Sequence, residues 1–240
     1  MKRSESKAEK RVVMLYWFVT ASFVLPVAFL VFRMLAGHTP ENEQGYHSDA
    51  DYALMIVQCL LGILVINIPL LLSKQFRFVL PLRLYSMYIV FLYCAIFLGE
   101  VRSFYYVIPF WDSILHCFSG LMLGFFGYMT ITILIRDEHI LLKLSPLFAA
   151  VFAFCFALSI GAVWEIYEFT FDGLLGLNMQ KFMTAEGELL VGRAALADTM
   201  KDIIIDFMGA LAATVIGAFS MRKDKFRMRP QLIEDNGETE

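Results

Sequence analysis

Six long apolar blocks alternate with short polar segments along this chain of 240 residues. Each block is close to the roughly 20 apolar residues that a helix needs to cross a bilayer. The blocks cover about residues 12–35, 52–73, 79–99, 112–135, 146–171 and 199–220. The pattern therefore predicts an all-α, polytopic membrane helix bundle with six transmembrane helices.

Composition supports a membrane protein over a soluble domain. Hydrophobic residues make up 59% of the chain and charged residues 18%, and the mean hydropathy is +0.65. Soluble domains are usually about 45–50% apolar and about 25% charged. The cysteines lie inside apolar blocks without ligand spacing, so we interpret them as small buried hydrophobes. No nucleic-acid-binding motif or basic stripe is present, so nucleic acid is not expected as a partner.

The distribution of Lys and Arg predicts the orientation. The N-terminal tail MKRSESKAEKR, the turns after the second and fourth blocks and the C-terminal tail together hold 15 of the 20 Lys and Arg residues. The positive-inside rule then places both termini in the cytoplasm. This divides the chain into a basic tail (1–11), three scaffold spans (12–99), three spans that carry polar groups (100–220) and a second cytoplasmic tail (221–240).

Acidic side chains interrupt the last three blocks, and in the predicted orientation they all lie in the outer half of the membrane. The groups are Asp112 and His116 in the fourth span, Glu165, Glu168 and Asp172 in the fifth, and Asp198, Asp202 and Asp206 in the sixth. The deepest lie about 10–12 Å below the outer surface at 1.5 Å per residue. Ionisable groups inside spans are rare and usually functional, so the shared depth predicts one pocket.

Helical spacing places each acidic set on one face of its helix. Asp112 and His116 are four residues apart, and the other two sets repeat at steps of three or four. The same faces continue as small residues, among them Gly120, Gly161 and Gly209, which allow close helix packing in membranes. We therefore expect the last three spans to pack together around an outward-facing pocket.

Carboxylates crowded in a low-dielectric pocket must take up protons or meet a cation. The positive charges expected nearby are Arg102, Arg193 and Lys201. A divalent metal would solve the problem directly, and one imidazole among carboxylates shifts the preference from Mg²⁺ or Ca²⁺ towards Mn²⁺, Fe²⁺ or Zn²⁺. The predicted ligands are Asp112, His116, Glu165, Glu168, Asp198 and Asp202. Taken singly, Asp112, Asp172 and Asp198 could equally face headgroup water.

Three motifs in order carry a family resemblance: WDSILHCFSG, WEIYE and DTMKDIIID. Over about residues 100–218 the chain resembles the YjdF-like family of uncharacterised bacterial inner-membrane proteins and, more distantly, the VanZ-like group linked with glycopeptide resistance. The resemblance implies a multi-pass protein of the bacterial plasma membrane. It also implies that the family's polar positions correspond to Asp112, His116, Gly120, Glu165, Glu168, Asp198, Thr199 and Asp202. It brings no reaction with it.

Two functional classes remain open, with a third in which the pocket is structural. The first is a metal-dependent enzyme acting on a lipid-linked or envelope substrate, with Glu165 or Glu168 as general base, His116 as ligand or acid, and the loop 173–197 as a lid. The second is a cation- or proton-coupled transporter. The transporter ranks second because the acids reach only one side and no inverted repeat is visible. The third is a membrane binding or assembly protein.

Overall fold

The computed structural model describes residues 6–35, 49–135, 144–184, 187–222 and 231–232. Six stretches of these residues are helical, apolar and long enough to cross a membrane, which confirms the predicted all-α, six-span architecture. They are Lys7–Phe32, Tyr52–Gln75, Leu82–Val101, Trp111–Leu134, Pro146–Leu175 and Ala197–Met221. Most of the C-terminal tail, residues 1–5, the basic turn at 136–143 and most of the first outer loop lie outside the described residues, and the expected sidedness stays a prediction.

The helices follow the apolar blocks with small shifts at their ends. In chain order they are α1 (Lys7–Leu35), α2 (Asp49–Val65), α3 (Ile68–Gln75), α4 (Leu82–Leu92), a π-helical segment (Tyr93–Val101), α5 (Phe104–Val107), α6 (Trp111–Leu134), α7 (Pro146–Leu175) and α8 (Ala197–Arg222). Two short strands, β1 (Phe78–Val79) and β2 (Gln231–Leu232), pair antiparallel with Phe78 opposite Leu232. The third span begins at Leu82 and not at 79, because Pro81 takes the N-cap position in an extended conformation.

The chain divides into two compact units, Met1–Trp111 with Pro230–Glu240, and Asp112–Arg229. In the first unit, α1 packs against α2, α4 and the π-helical segment. Its centre is apolar, with Val19, Phe23, Leu84 and Ile89 fully buried. The buried residues described for this unit include no cluster of carboxylates like the one in the last three spans.

The second span is two helices, a feature that the single apolar block did not predict. Asn67 separates α2 from α3, and Pro69 lies in the first turn of α3, where its missing N–H is tolerated. The break leaves carbonyls at membrane depth, where each needs a partner. The hydroxyl of Tyr88 donates to the carbonyl of Val65 at 2.7 Å, and that of Tyr85 donates to Ile66 at 3.4 Å.

In the second unit, α6, α7 and α8 approach closely through small residues, as predicted. A Cβ added at Gly120 would lie 2.6 Å from the carbonyl oxygen of Asp206, and one added at Gly209 would lie 2.5 Å from that of Cys117. On α7, a Cβ added at Gly161 would meet the Asp206 carboxylate at 2.5 Å. These contacts bring the three polar helix faces against one another.

At the other end of this unit the packing is apolar. Tyr128 and Ile131 of α6 pack with Ala149 and Ala153 of α7, all of them buried. The Tyr128 hydroxyl donates to the backbone carbonyl of Thr214 at 2.7 Å. The polar and apolar ends of the same three helices are therefore distinct.

Candidate functional site

His116 lies at the centre of the polar cluster, on the second turn of α6. It is buried, and its two ring nitrogens face different carboxylates. Nδ1 lies 3.2 Å from Oδ2 of Asp206, while Nε2 lies 3.7 Å from Oδ1 of Asp112 and 3.9 Å from Oε1 of Glu165. One imidazole therefore joins carboxylates from all three helices.

The distances on the Nε2 side suit a metal position better than direct hydrogen bonds. Ligand atoms of Asp112, His116 and Asp202 all lie within 4.8 Å of one another. Atoms about 2.1 Å from one ion lie about 3.0–4.2 Å from each other, depending on the coordination geometry. The separations of 3.7 and 3.9 Å around Nε2 fall in that range.

Two buried carboxylate oxygens in this cluster lack a hydrogen-bond partner among the described residues. They are Oε1 of Glu165 and Oδ1 of Asp202, in residues that are 5% and 1% exposed. An unsatisfied buried acceptor is costly, and more so when it is charged. Both oxygens belong to predicted ligands, and Oε1 of Glu165 faces His116 Nε2.

Asp206 lies on the Nδ1 side of His116, opposite the proposed metal position. Its spacing predicts a place in the acidic set of the sixth span, although it is not among the predicted ligands. One of its oxygens faces His116 Nδ1, and the other accepts a hydrogen bond from Ser119 Oγ at 3.0 Å. A carboxylate in this position fixes the ring orientation and favours a proton on Nδ1, which leaves Nε2 free to ligate. The signal was present in the sequence, because Asp206 continues the i, i+4 series from Asp202.

The prediction of nearby positive charges was wrong in omitting Lys181. Its ammonium donates to Oδ2 of Asp112 at 2.5 Å and to Oδ2 of Asp198 at 3.1 Å. Lys201 donates to the other oxygen of Asp198 at 3.2 Å and lies 3.8 Å from Asp202. Burial by itself lowers the pKa of Lys181, but the carboxylates of Asp112 and Asp198 outweigh it and raise the pKa above its ordinary value.

Asp172 has a structural role in the loop, and it does not face headgroup water as one interpretation allowed. It is buried, and its two oxygens accept hydrogen bonds from the backbone N–H groups of Met179 and Gln180, at 2.7 and 3.0 Å. The Gln180 side chain donates to Thr199 Oγ1 at 2.9 Å and lies 3.5 Å from Oε2 of Glu165. The loop therefore lies against the predicted ligands.

This loop also begins later than predicted. α7 continues to Leu175 and ends at Gly176, whose φ of 66° is the left-handed conformation that favours glycine at a helix C-terminus. The predicted lid 173–197 is thus represented by residues 176–184 and 187–196 of the described chain. Its role as a lid stays a prediction.

Glu168 lies one turn beyond Glu165 on the same helix and is also buried. Its Oε1 accepts a hydrogen bond from Trp164 Nε1 at 3.0 Å. Trp164 therefore forms a hydrogen bond with the buried carboxylate of Glu168. A tryptophan that only anchors a helix at the membrane interface does not need such a partner.

The structure thus brings Asp112, His116, Glu165 and Asp202 together directly. It joins Asp198 to them through the two lysines, and it places Glu168 beside them on α7. Which of these residues bind a metal stays a prediction.

These features define a polytopic helical membrane protein with a buried carboxylate–histidine cluster at one end of three packed helices. The chain belongs to the family described as predicted membrane protein, DUF2238, whose model matches residues 21–223. The resemblance inferred from the three motifs is consistent with this family.

A relative from Thermotoga maritima strain MSB8, which carries the name "Uncharacterized protein", is 30% identical over 135 residues. The matched stretch covers 56% of this chain and 60% of the relative's length. No solved structure matches the chain.

Proposed function

We propose that this protein is a metal-dependent enzyme of the bacterial plasma membrane, with its site on the outer side and an envelope or lipid-linked substrate. The observation that carries the proposal is a pair of buried oxygens, Oε1 of Glu165 and Oδ1 of Asp202, that have no hydrogen-bond partner among the described residues, the first of them 3.9 Å from His116 Nε2. A divalent ion at this point would satisfy both oxygens and offset the crowded negative charge. The outer location rests on the distribution of Lys and Arg along the chain.

The distances support Asp112, His116 and Asp202 best, because their ligand atoms lie within 4.8 Å of one another. Glu165, whose Oε1 lies 3.9 Å from His116 Nε2, completes the proposed set. Imidazole with carboxylates suits Mn²⁺, Fe²⁺ or Zn²⁺ better than Ca²⁺. An ion held there would polarise a phosphoryl or carbonyl oxygen or activate a water molecule. Glu168, one turn away on the same face, is then free to act as the general base.

The position of the cluster favours an enzyme over a transporter. The polar groups occupy one end of α6, α7 and α8, and the opposite end is closed by the apolar packing of Tyr128, Ile131 and Ala153. A carrier needs a polar route from the site to the second side of the membrane. A polar cluster at one end suits a substrate that arrives and leaves on that side.

The test is the metal content of the purified full chain after exchange with Mn²⁺, Zn²⁺ or Mg²⁺. Wild type should retain a divalent ion, and Glu165→Gln and Asp202→Asn should each lose it, because each replaces a ligand oxygen without changing side-chain size. Glu188→Gln is the matched control, since it removes an exposed carboxylate from the loop and should leave metal content unchanged. A wild-type protein that retains none of these ions contradicts the proposal. Proton-linked uptake in vesicles by such a metal-free protein would favour the carrier.

A further inference from the structure

A short turn, Asn178–Met183, lies against the polar cluster and is stabilised by hydrogen bonds between its own residues. The Asn178 side chain donates to the carbonyl of Met183 at 2.9 Å and accepts from the Met183 N–H at 2.9 Å. The Asp172 carboxylate accepts hydrogen bonds from the backbone N–H groups of Met179 and Gln180. The turn therefore has a defined shape and a defined place over the cluster.

Lys181 occupies the tip of this turn in an unfavourable backbone conformation. Its φ is 49°, in the left-handed region that residues with a side chain rarely adopt. Such strain persists where the surroundings over-determine it, and it concentrates at functional sites. The surroundings here are Asp112 and Asp198, which hold the Lys181 ammonium between them.

Asp112 is shared between the lysine and the proposed metal position. Its Oδ2 accepts from Lys181, while its Oδ1 faces His116 Nε2 at 3.7 Å. An ion bound at Oδ1 would lie about 6 Å from the ammonium, on the other side of one carboxylate. The two cations would therefore compete for the charge of Asp112.

We propose that Lys181 is a built-in cation that weakens the affinity of the site for a divalent ion. It offsets the charge of Asp112 and Asp198 when no ion is bound, and it repels an ion that binds next to it. This inference rests on the proposed metal site and adds the residue that tunes it. The tuning matters because a partly exposed ammonium, with a side chain 42% accessible, can leave the cluster while the buried ligands remain.

A different role, in which Lys181 recognises an anionic substrate, is less well supported. The ammonium already forms ion pairs with two carboxylates, at 2.5 and 3.1 Å, and these partly neutralise its charge. Buried acids outnumber the two lysines in the cluster, so the local field repels anions. The geometry therefore favours competition with a cation.

The experiment is a Mn²⁺ titration of the full chain in detergent by isothermal calorimetry. Lys181→Met should bind Mn²⁺ at least about tenfold more tightly than wild type, since removing a charge about 6 Å from a divalent ion has that effect even at the dielectric constant of water. Lys181→Arg keeps the charge and should stay close to wild type. Arg193→Met removes the same charge from an exposed position of the same loop and should also stay close to wild type.

A second variant and a second readout guard against misfolding. Lys181→Gln keeps two N–H donors on a neutral, slightly shorter side chain, so it should fold and show the same tightening as Lys181→Met. Added Mn²⁺ should raise the Tm of both neutral variants by more than it raises the Tm of wild type.

The two proposals fail in distinguishable ways. Wild type that binds Mn²⁺, with neutral variants that bind it equally or more weakly, overturns the role of Lys181 and leaves the metal site standing. Absence of Mn²⁺ binding in wild type and in every variant overturns the metal site and this inference with it.

Discussion

Gly209→Ala should separate α6 from α8 and destabilise the second unit. Gly209 faces the backbone of α6, where an added Cβ would lie 2.5 Å from the carbonyl oxygen of Cys117 and 3.0 Å from the N of Leu121. Both contacted atoms belong to the backbone of a helix, so no side chain can turn away to make room. One of the two helices has to move.

The size of the effect follows from that distance. Ordinary contact for a Cβ begins at 3.4 Å, so the helices must separate locally by up to about 0.9 Å. Overpacking of this kind costs about 1–3 kcal/mol. Alanine also favours a helix over glycine by about 1 kcal/mol, and this gain offsets part of the free-energy cost of the clash.

Gly173→Ala is the control that removes this complication. Gly173 lies in α7, and a Cβ there would meet nothing within 4 Å. Because both variants make the same change of residue in a helix, the difference between them isolates the clash. Gly209→Ala should therefore be less stable than Gly173→Ala by about 1–3 kcal/mol.

The assay is thermal unfolding of the two variants in the same detergent. Each kcal/mol corresponds to about 2–4 °C in Tm for a chain of this size, so the two midpoints should differ by about 2–12 °C. A Gly209→Ala protein with a Tm equal to or above that of Gly173→Ala would refute the reasoning. It would mean that α6 and α8 do not pack through Gly209.

Two further predictions concern the groups around the site. Asp206→Asn should weaken divalent-metal binding about 10–100-fold, because the neutral amide holds the His116 ring less strongly. Ser119→Ala removes only one donor to Asp206, so it should weaken metal binding less. A metal titration of both variants checks this. Asp172→Asn should loosen the loop turn that it holds by two backbone N–H groups, so trypsin should cut after Lys181 faster than in wild type while the thermal midpoint changes little. Unchanged metal affinity in the first variant, or an unchanged cleavage rate in the second, would contradict these roles.

Much of the fold could be predicted because it depends on local sequence. Each apolar block specifies a spanning helix by its own length and composition, independently of its neighbours. The spacing of Asp112 and His116, or of Glu165 and Glu168, likewise specifies one helix face. The regular polar and small-residue faces of three helices were enough to predict that those faces would meet.

The irregular features could not be predicted in the same way. The break at Asn67 depends on tyrosines far along the chain that satisfy the freed carbonyls. The extra turn of α7 depends on Gly176 adopting a left-handed conformation. Neither the helix break nor the extra turn changes the hydropathy of its block, so the apolar pattern does not predict them.

The sequence by itself determined the six spanning helices, the family and the helix faces that carry the acids, because these follow from residue type and helical period. Only the tertiary structure decided how the site is arranged: Asp206 beside Nδ1 of His116, two carboxylate oxygens with no hydrogen-bond partner in the described part of the chain, and Lys181 between Asp112 and Asp198. The physical reason is that these relations depend on side-chain directions and on a loop backbone with no regular period. The charge balance of the site therefore depends on a lysine whose position no sequence spacing could indicate.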